Sequence, residues 1–512
     1  MRTTSKLILN TALLTAASFL MQTVSVAFNV YLTNRIGELG IGLFQLTMTV
    51  YGMAATFACA GVRLGATRLN IDLLAKQPEA SSRGAMRLCL GYAFVLSCTM
   101  GVALFLAAPL AATQWLSDPR ATQALRWLAL GLPFVSVTAA MQGYFTAVRT
   151  VFKSAAAQGV EQAVKIAAVV FFLGRMLPMG MEYACLAIVY GMCAGEVVAL
   201  VFSALLLRSA HSMRRRDAPG QAQVKLRALL HIAGPEAAGT CVRSVLLTVE
   251  HLLIPRGFQA AGRSAEDATR IYGVIHGMSL PVLLYPSAVL SSLAGLLVPE
   301  FSLLRIDGRH RQIETAVRKI LRLSLFYGVF IGGMFYAFAA PLSQRIYGSD
   351  IAAKYLQLLS PLVPVMYVDM SVDGMLKGLD QQKYSMRYNI IDSGMCVVLV
   401  SILLPRLAIK GYIIVLFISE IYNFFFSLRR LLVVTGVPRP RLAEIAKPLL
   451  CTACAALIPL GLSNAAAPGG LGSSTLRLVL ALGGGAVFYF VALYLIGSVT
   501  REDFKAVKVG GA

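Results

Sequence analysis

The chain has 512 residues, 57% of them hydrophobic and 14% charged, with a formal net charge of +22. A soluble globular domain carries about a quarter charged residues, so this composition excludes that class and identifies an integral membrane protein. The basic excess does not require nucleic acid, because it falls in short connections between apolar runs, where the positive-inside rule accounts for it.

Apolar runs of bilayer-spanning length, roughly 20 residues, recur from end to end. They predict fourteen transmembrane helices, at 7–33, 41–67, 86–108, 123–147, 154–174, 183–207, 228–254, 271–298, 320–340, 355–376, 388–404, 411–428, 448–462 and 475–497. The first run has no charged residue and exceeds the apolar region of a secretory signal, so a retained helix is expected. The expected fold is all-α and polytopic: a six-helix bundle at 1–207, a basic linker at 208–227, a second six-helix bundle at 228–430, and helices 13 and 14 with a tail at 431–512. Of the 46 basic residues, 31 lie on the side of the N-terminus, 12 on the other side, and Arg63, Lys165 and Arg243 within spans. That asymmetry predicts both termini in the cytoplasm.

Charged side chains in a span are costly, at roughly 2.5–3.5 kcal/mol each on insertion scales, and they mark pathways or structural pairs. In the second span, Arg63 lies near the inner end and either snorkels to the interface or faces a path. In the fifth, Glu161 and Lys165 are four apart, acid first, the order that favours a side-chain pair. In the seventh, Glu236, Arg243 and Glu250 recur every seven residues with Thr240 on the same stripe, so a cavity or a partner helix should face them. In the tenth, Asp369 and Asp373 share a face and must be protonated, screened or paired, which makes them candidates for ion coupling. Glu196 and Glu420 fit structural partners for buried cations or polar groups, and His276 fits an interior histidine. Cys451 and Cys454 have metal-site spacing but no companion His or second pair, so they read as packing residues. No glycine loop for ATP is found, and no metal or cofactor is expected. Glu266 and Asp267 are adjacent acids in a short outer turn, which reads as solvated and not as a catalytic loop.

An ungapped offset of 231 residues aligns Pro133 with Pro364, Val137 with Val368, Gly143 with Gly374, Ser154 with Ser385, Gln158 with Asn389, Glu161 with Asp392, and Gly42 with Gly273. Matched segments share orientation, which is the parallel type of transporter repeat, and it places substrate between two bundles that rock against each other.

The stretch GYFTAVRTVFKSAAAQGVEQAVK resembles a signature of oligosaccharide-lipid flippases through Gly143, Tyr144, Phe145, Gln158, Glu161, Gln162 and Lys165. The segments NRIGELGIGLFQL at 34–46, LYPSAVLSSLAGLLVPEFS at 284–302, and 361–393 with Gly411, Tyr412, Ser419 and Glu420 resemble the same family. The resemblance implies the multidrug/oligosaccharidyl-lipid/polysaccharide exporter fold, an isoprenoid-linked glycan as cargo, a bacterial inner membrane, and a role in peptidoglycan, polysaccharide or spore-cortex assembly. Membrane lipids and the glycan lipid are the implied partners, with the protein a monomer and no nucleic acid involved. The pyrophosphate of such a cargo needs cations, and Arg63, Arg243 and Lys165 are the candidates, with Glu236 and Glu250 holding Arg243 and Glu161 orienting Lys165. Two departures stand out: Val151, Phe152, Lys153 and Ser154 replace the family's Met-x-Pro-Thr, and the first span lacks the arginine of lipid II flippases. An exporter of small cations and a glycan-processing enzyme are the alternatives; an acid-dominated cavity would favour the first.

Overall fold

A backbone in hydrocarbon must pair every N–H and C=O within its own segment, which leaves long apolar runs the helix and little else. The computed structural model describes residues 2–76, 81–148, 150–210, 226–438, 450–452 and 475–495, and these contain helices and turns but no strand. The helices are α1 Arg2–Ala58, α2 Val62–Lys76, α3 Arg83–Leu110, α4 Ala121–Ala147, α5 Val151–Met176, α6 Met181–Arg208, α7 Leu226–Ala260, α8 Ala265–Tyr272, α9 Leu280–Leu284, α10 Ala288–Ile306, α11 His310–Tyr347, α12 Asp350–Leu359, α13 Val363–Gly378, α14 Gln382–Thr435 and α15 Thr475–Leu495.

Among the described residues, nine helical stretches are long and apolar enough to cross a membrane. Two of them hold two predicted spans each. α1 breaks at Gly37, whose φ of 72° suits a residue without a Cβ, and α14 breaks at Ala408 (φ 48°, ψ −126°). α5, which carries the in-span charges Glu161 and Lys165, is a further long helix of 26 residues. The predicted second span at 41–67 is interrupted: the chain turns at 59–61 on Gly61 (φ 65°) and resumes as α2. The predicted thirteenth span at 448–462 lies outside the described residues except for 450–452.

The chain divides into two packed units, residues 1–28 with 35–273, and residues 29–34 with 274–512. Helix α7 packs with the first of these units. The reason is glycine packing: a Cβ on Gly61 or Gly65 of the α2 region would run into Ala233 or Leu229 of α7. Thr67 adds an α2–α4 tie, donating to the Gly143 carbonyl at 3.0 Å. In the first unit a cluster of Met86, Met141, Tyr144, Phe145 and Leu207 joins α3, α4 and α6. In the second, Phe301, Val317, Val372, Met375, Leu376 and Leu431 form the core between α10, α11, α13 and α14.

Two details hold the units' geometry. Gly42 and Gly273, paired by the internal repeat, meet directly in the first unit: a Cβ on Gly42 would strike the Thr269 carbonyl, and one on Gly273 would come within 2.7 Å of the Gly42 Cα. In the second unit the two arms of α14 are tied by the buried Asp392, whose Oδ2 accepts from Ser419 Oγ at 3.1 Å and Asn423 Nδ2 at 2.8 Å. Gly411 lets the arms close, since a Cβ there would meet the Leu403 carbonyl.

Gly42→Val and Gly273→Val should each destabilise the detergent-solubilised protein by about 1–3 kcal/mol through overpacking, read as a lower midpoint in a size-exclusion thermostability assay; Gly174→Val, at an open position, serves as control and should leave it unchanged. Asn423→Leu should cost about 1–3 kcal/mol by depriving the Asp392 carboxyl of a donor, and combining it with Asp392→Leu should recover part of that loss. A double variant less stable than Asn423→Leu alone would refute the tie.

Candidate substrate cavity and intramembrane charges

The first unit holds a half-open cavity of about 520 Å³ lined by Met21, Gln22 and Ser25 of α1, Val135, Thr138, Ala139 and Gln142 of α4, Ala155, Gln158, Glu161 and Gln162 of α5, and Glu196 of α6. Helical spacing explains the lining: 135, 138, 139 and 142 on α4, and 155, 158, 161 and 162 on α5, recur at three and four residues and so share a face. Gly195 lets α6 approach α5 closely, since a Cβ there would lie 3.0 Å from Lys165 Cβ and 3.1 Å from the Glu161 carbonyl oxygen. Glu196 thereby reaches the wall that Glu161 occupies. The Thr138 side chain is 3% exposed, and its hydroxyl, like Gln162 Nε2, is a buried polar atom with no hydrogen-bond partner among the described residues.

Of the expected site residues, Glu161 is therefore on the cavity wall, while Lys165, one turn on, is half-buried beside it and not part of the lining. Arg63 is exposed in the first turn of α2, and Arg243 is exposed on α7 with Thr240. The α2–α7 contact at Ala233 lies ten residues, roughly 15 Å of helix, from Arg243. Among the described residues no ion pair joins Glu161 to Lys165, or Arg243 to Glu236 or Glu250. Seven residues on one face are roughly 10.5 Å apart along the axis, two turns of helix. The Thr240 hydroxyl instead donates to the Glu236 carbonyl at 2.9 Å, within its own helix.

The second unit gathers acids. Asp373 of α13 is neutralised by Lys377 Nζ at 2.6 Å and accepts a hydrogen bond from Ser385. Pairing, one of the three options open for the Asp369–Asp373 face, thus applies to Asp373. Asp369 Oδ1 is buried with no hydrogen-bond partner among the described residues. Asp369, Asp392 and Glu420 lie within electrostatic reach of one another.

Sequence reasoning missed two part-buried histidine–tyrosine pairs. His251 Nδ1 lies 2.7 Å from the Tyr272 hydroxyl in the first unit, and that hydroxyl lies 3.5 Å from Thr49 Oγ1. His276 Nε2 lies 2.6 Å from the Tyr412 hydroxyl in the second. No local pattern announces partners separated by 21 and 136 residues. The cavity amides Gln22 and Gln142 were missed for the same reason, since a lone glutamine in an apolar run carries no spacing signal. No group of three or more His, Cys, Asp or Glu suited to a metal ion occurs among the described residues.

Residues 7–256 match the model of the family described as polysaccharide biosynthesis protein. Stage V sporulation protein B of Bacillus subtilis (strain 168) is homologous, 23% identical over 407 residues that span 78% of this chain and 79% of that protein. Among solved structures, the lipid II flippase MurJ in an inward closed conformation matches 95% of this chain and 99% of its own at a TM-score of 0.70 and 11% identity. An inward-facing multidrug resistance MATE family transporter of the MOP superfamily matches 82% and 96% at a TM-score of 0.62 and 14% identity. Residues 7–256 are thus similar to the polysaccharide biosynthesis protein family, and the chain has the fold of the MOP-superfamily transporters.

Proposed function

We propose that the protein is a flippase that moves an isoprenoid-pyrophosphate-linked oligosaccharide or peptidoglycan precursor from the inner to the outer leaflet of a bacterial inner membrane, by alternating access, for cell-wall, spore-cortex or polysaccharide assembly. The observation that carries this reading is a fold shared with a lipid II flippase over 95% of the chain. The family description and the homologous sporulation protein point the same way. In this reading the protein is a transporter and not an enzyme, it works as a monomer, and its termini lie in the cytoplasm.

The lipid tail stays in the bilayer while the headgroup crosses, so a dianionic pyrophosphate must exchange water for protein donors. Arg63 and Arg243 are the proposed donors because both are exposed and the planar guanidinium fork matches phosphate oxygens. Arg63 also sits in the first turn of α2, where the helix dipole adds positive potential. Lys165 is the third cation, with Glu161 limiting how tightly it holds an anion; Glu236, Thr240 and Glu250 extend a polar track along α7. Asp369, with Asp373, is the proposed coupling site, Asp369 being the one of the pair that Lys377 leaves available. Outward movement of two negative charges gains about 4.6 kcal/mol at 100 mV, which would make the step self-driving without a counter-ion.

Proteoliposomes with a fluorescent undecaprenyl-pyrophosphate glycan, an imposed potential and an impermeant quencher provide the test. Wild-type protein should expose the label at the far leaflet, and Arg63→Ala and Arg243→Ala should each slow this at least tenfold. Translocation indifferent to both changes would discard the arginines and keep the flippase. No translocation of several such lipids, with efflux of small organic cations, would replace the reading by a small-molecule exporter. Separately, reporter fusions after residue 215 should report the cytoplasm and fusions after residue 263 the opposite side; the reverse pattern would invert the topology.

A further inference from the structure

We propose that the cavity of the first unit is a glycan subsite: it hydrogen-bonds the sugar hydroxyl and amide groups of the cargo and does not hold its pyrophosphate. The inference rests on the flippase reading and assigns one part of the cargo to one part of the protein. Eight of the twelve lining residues are polar: Gln22, Ser25, Thr138, Gln142, Gln158, Glu161, Gln162 and Glu196. None is basic and two are acidic, so the wall repels a pyrophosphate. Lys165 acts electrostatically on both Glu161 and Glu196 from outside the lining, which offsets one of the two negative charges without placing a cation on the cavity wall.

The remaining question is neutral glycan or organic cation. The two carboxylates meet the acidic-wall criterion for an organic cation, but Lys165 offsets one of them and none of the twelve residues is aromatic, so the ring faces that hold organic cations are missing from the wall. Four primary amides, by contrast, present donors and acceptors side by side, which is what a ligand with hydroxyl groups needs at each position. Carboxylates accept strong charge-assisted bonds from hydroxyls. Two polar groups of the lining residues are buried without a partner among the described residues: the Thr138 hydroxyl, on a residue 3% exposed, and Gln162 Nε2. A buried polar group is costly until something pairs with it, so these two positions favour a ligand that both donates and accepts. The volume of about 520 Å³ lies in the range of roughly 300–1,000 Å³ typical of small-ligand sites.

The test is saturation-transfer NMR on the full chain in lipid nanodiscs, with a panel of soluble disaccharides (gluco-, galacto- and manno-configured, and N,N′-diacetylchitobiose), inorganic pyrophosphate and tetraethylammonium as probes. At least one disaccharide should receive saturation, pyrophosphate should not displace it, and Thr138→Val and Glu196→Gln should each weaken it fivefold or more. Thr138→Ser, which keeps the hydroxyl, should bind like wild type and separates a lost bond from a misfolded protein. Silence from every disaccharide overturns the subsite, as does binding that ignores Thr138→Val and Glu196→Gln. Tetraethylammonium binding that Glu196→Gln abolishes overturns it in favour of a cation site. Flipping with no disaccharide binding would sink the subsite and leave the flippase; disaccharide binding without flipping would sink the flippase reading alone.

Discussion

In hydrocarbon a polar group has no solvent to fall back on, and every feature of this protein follows from how its polar groups find partners. The backbone solves the problem by helix formation alone, which is why fourteen predicted spans and the described helices agree along most of the chain. At two of the helix breaks glycine absorbs the cost, Ala408 being the exception. Gly37 and Gly61 turn the chain in the left-handed region, and Thr67 shares its hydroxyl between the Arg63 and Gly143 carbonyls. Close packing does the rest, since small residues allow helices to gain van der Waals contact where lipid offers no hydrophobic gradient. The Gly42–Gly273 crossing is the tightest expression of that rule in the first unit.

Side-chain charges receive three different solutions. Asp373 and Lys377 cancel within one helix at 2.6 Å. Asp392 is absorbed into a hairpin tie by Ser419 and Asn423. Glu161 and Glu196 are turned toward a cavity among amides. The internal repeat aligns Glu161 with Asp392, and each faces the following helical arm of its own unit: Glu161 meets Glu196 across the cavity, while Asp392 meets hydroxyl and amide donors. The same location thus closes on itself in one unit and stays open in the other.

A lipid-linked glycan sets two unlike demands on its carrier. Its pyrophosphate calls for exposed cations, and its sugars call for a wall that donates and accepts in turn. In the proposed reading, the exposed arginines on α2 and α7 and the uncharged-to-acidic cavity between α1, α4, α5 and α6 would separate those demands in space. Such a division lets the anionic group be held without a deep cationic pocket from which release would be slow.

Span existence, the helical class and the positions of in-span charges were legible from sequence, because apolar length and charge content are local quantities that a bilayer reads directly. Glu161, Lys165, Asp369 and Asp373 could be singled out for that reason. The Asp373–Lys377 pair lies within one turn of helix, and the pairing option for the Asp369–Asp373 face had been left open on the sequence alone. For the α7 stripe, spacing places Glu236, Arg243 and Glu250 on one face two turns apart, and among the described residues no ion pair joins Arg243 to either acid. The assignment of α7 to the first unit, the meeting of Gly42 with Gly273, and the gathering of Gln22, Thr138, Gln142 and Glu196 around one cavity were decided by tertiary structure. These depend on which helices touch. In a membrane that choice rests on the fit of small residues and the pairing of scattered polar groups, and a one-dimensional pattern does not carry it.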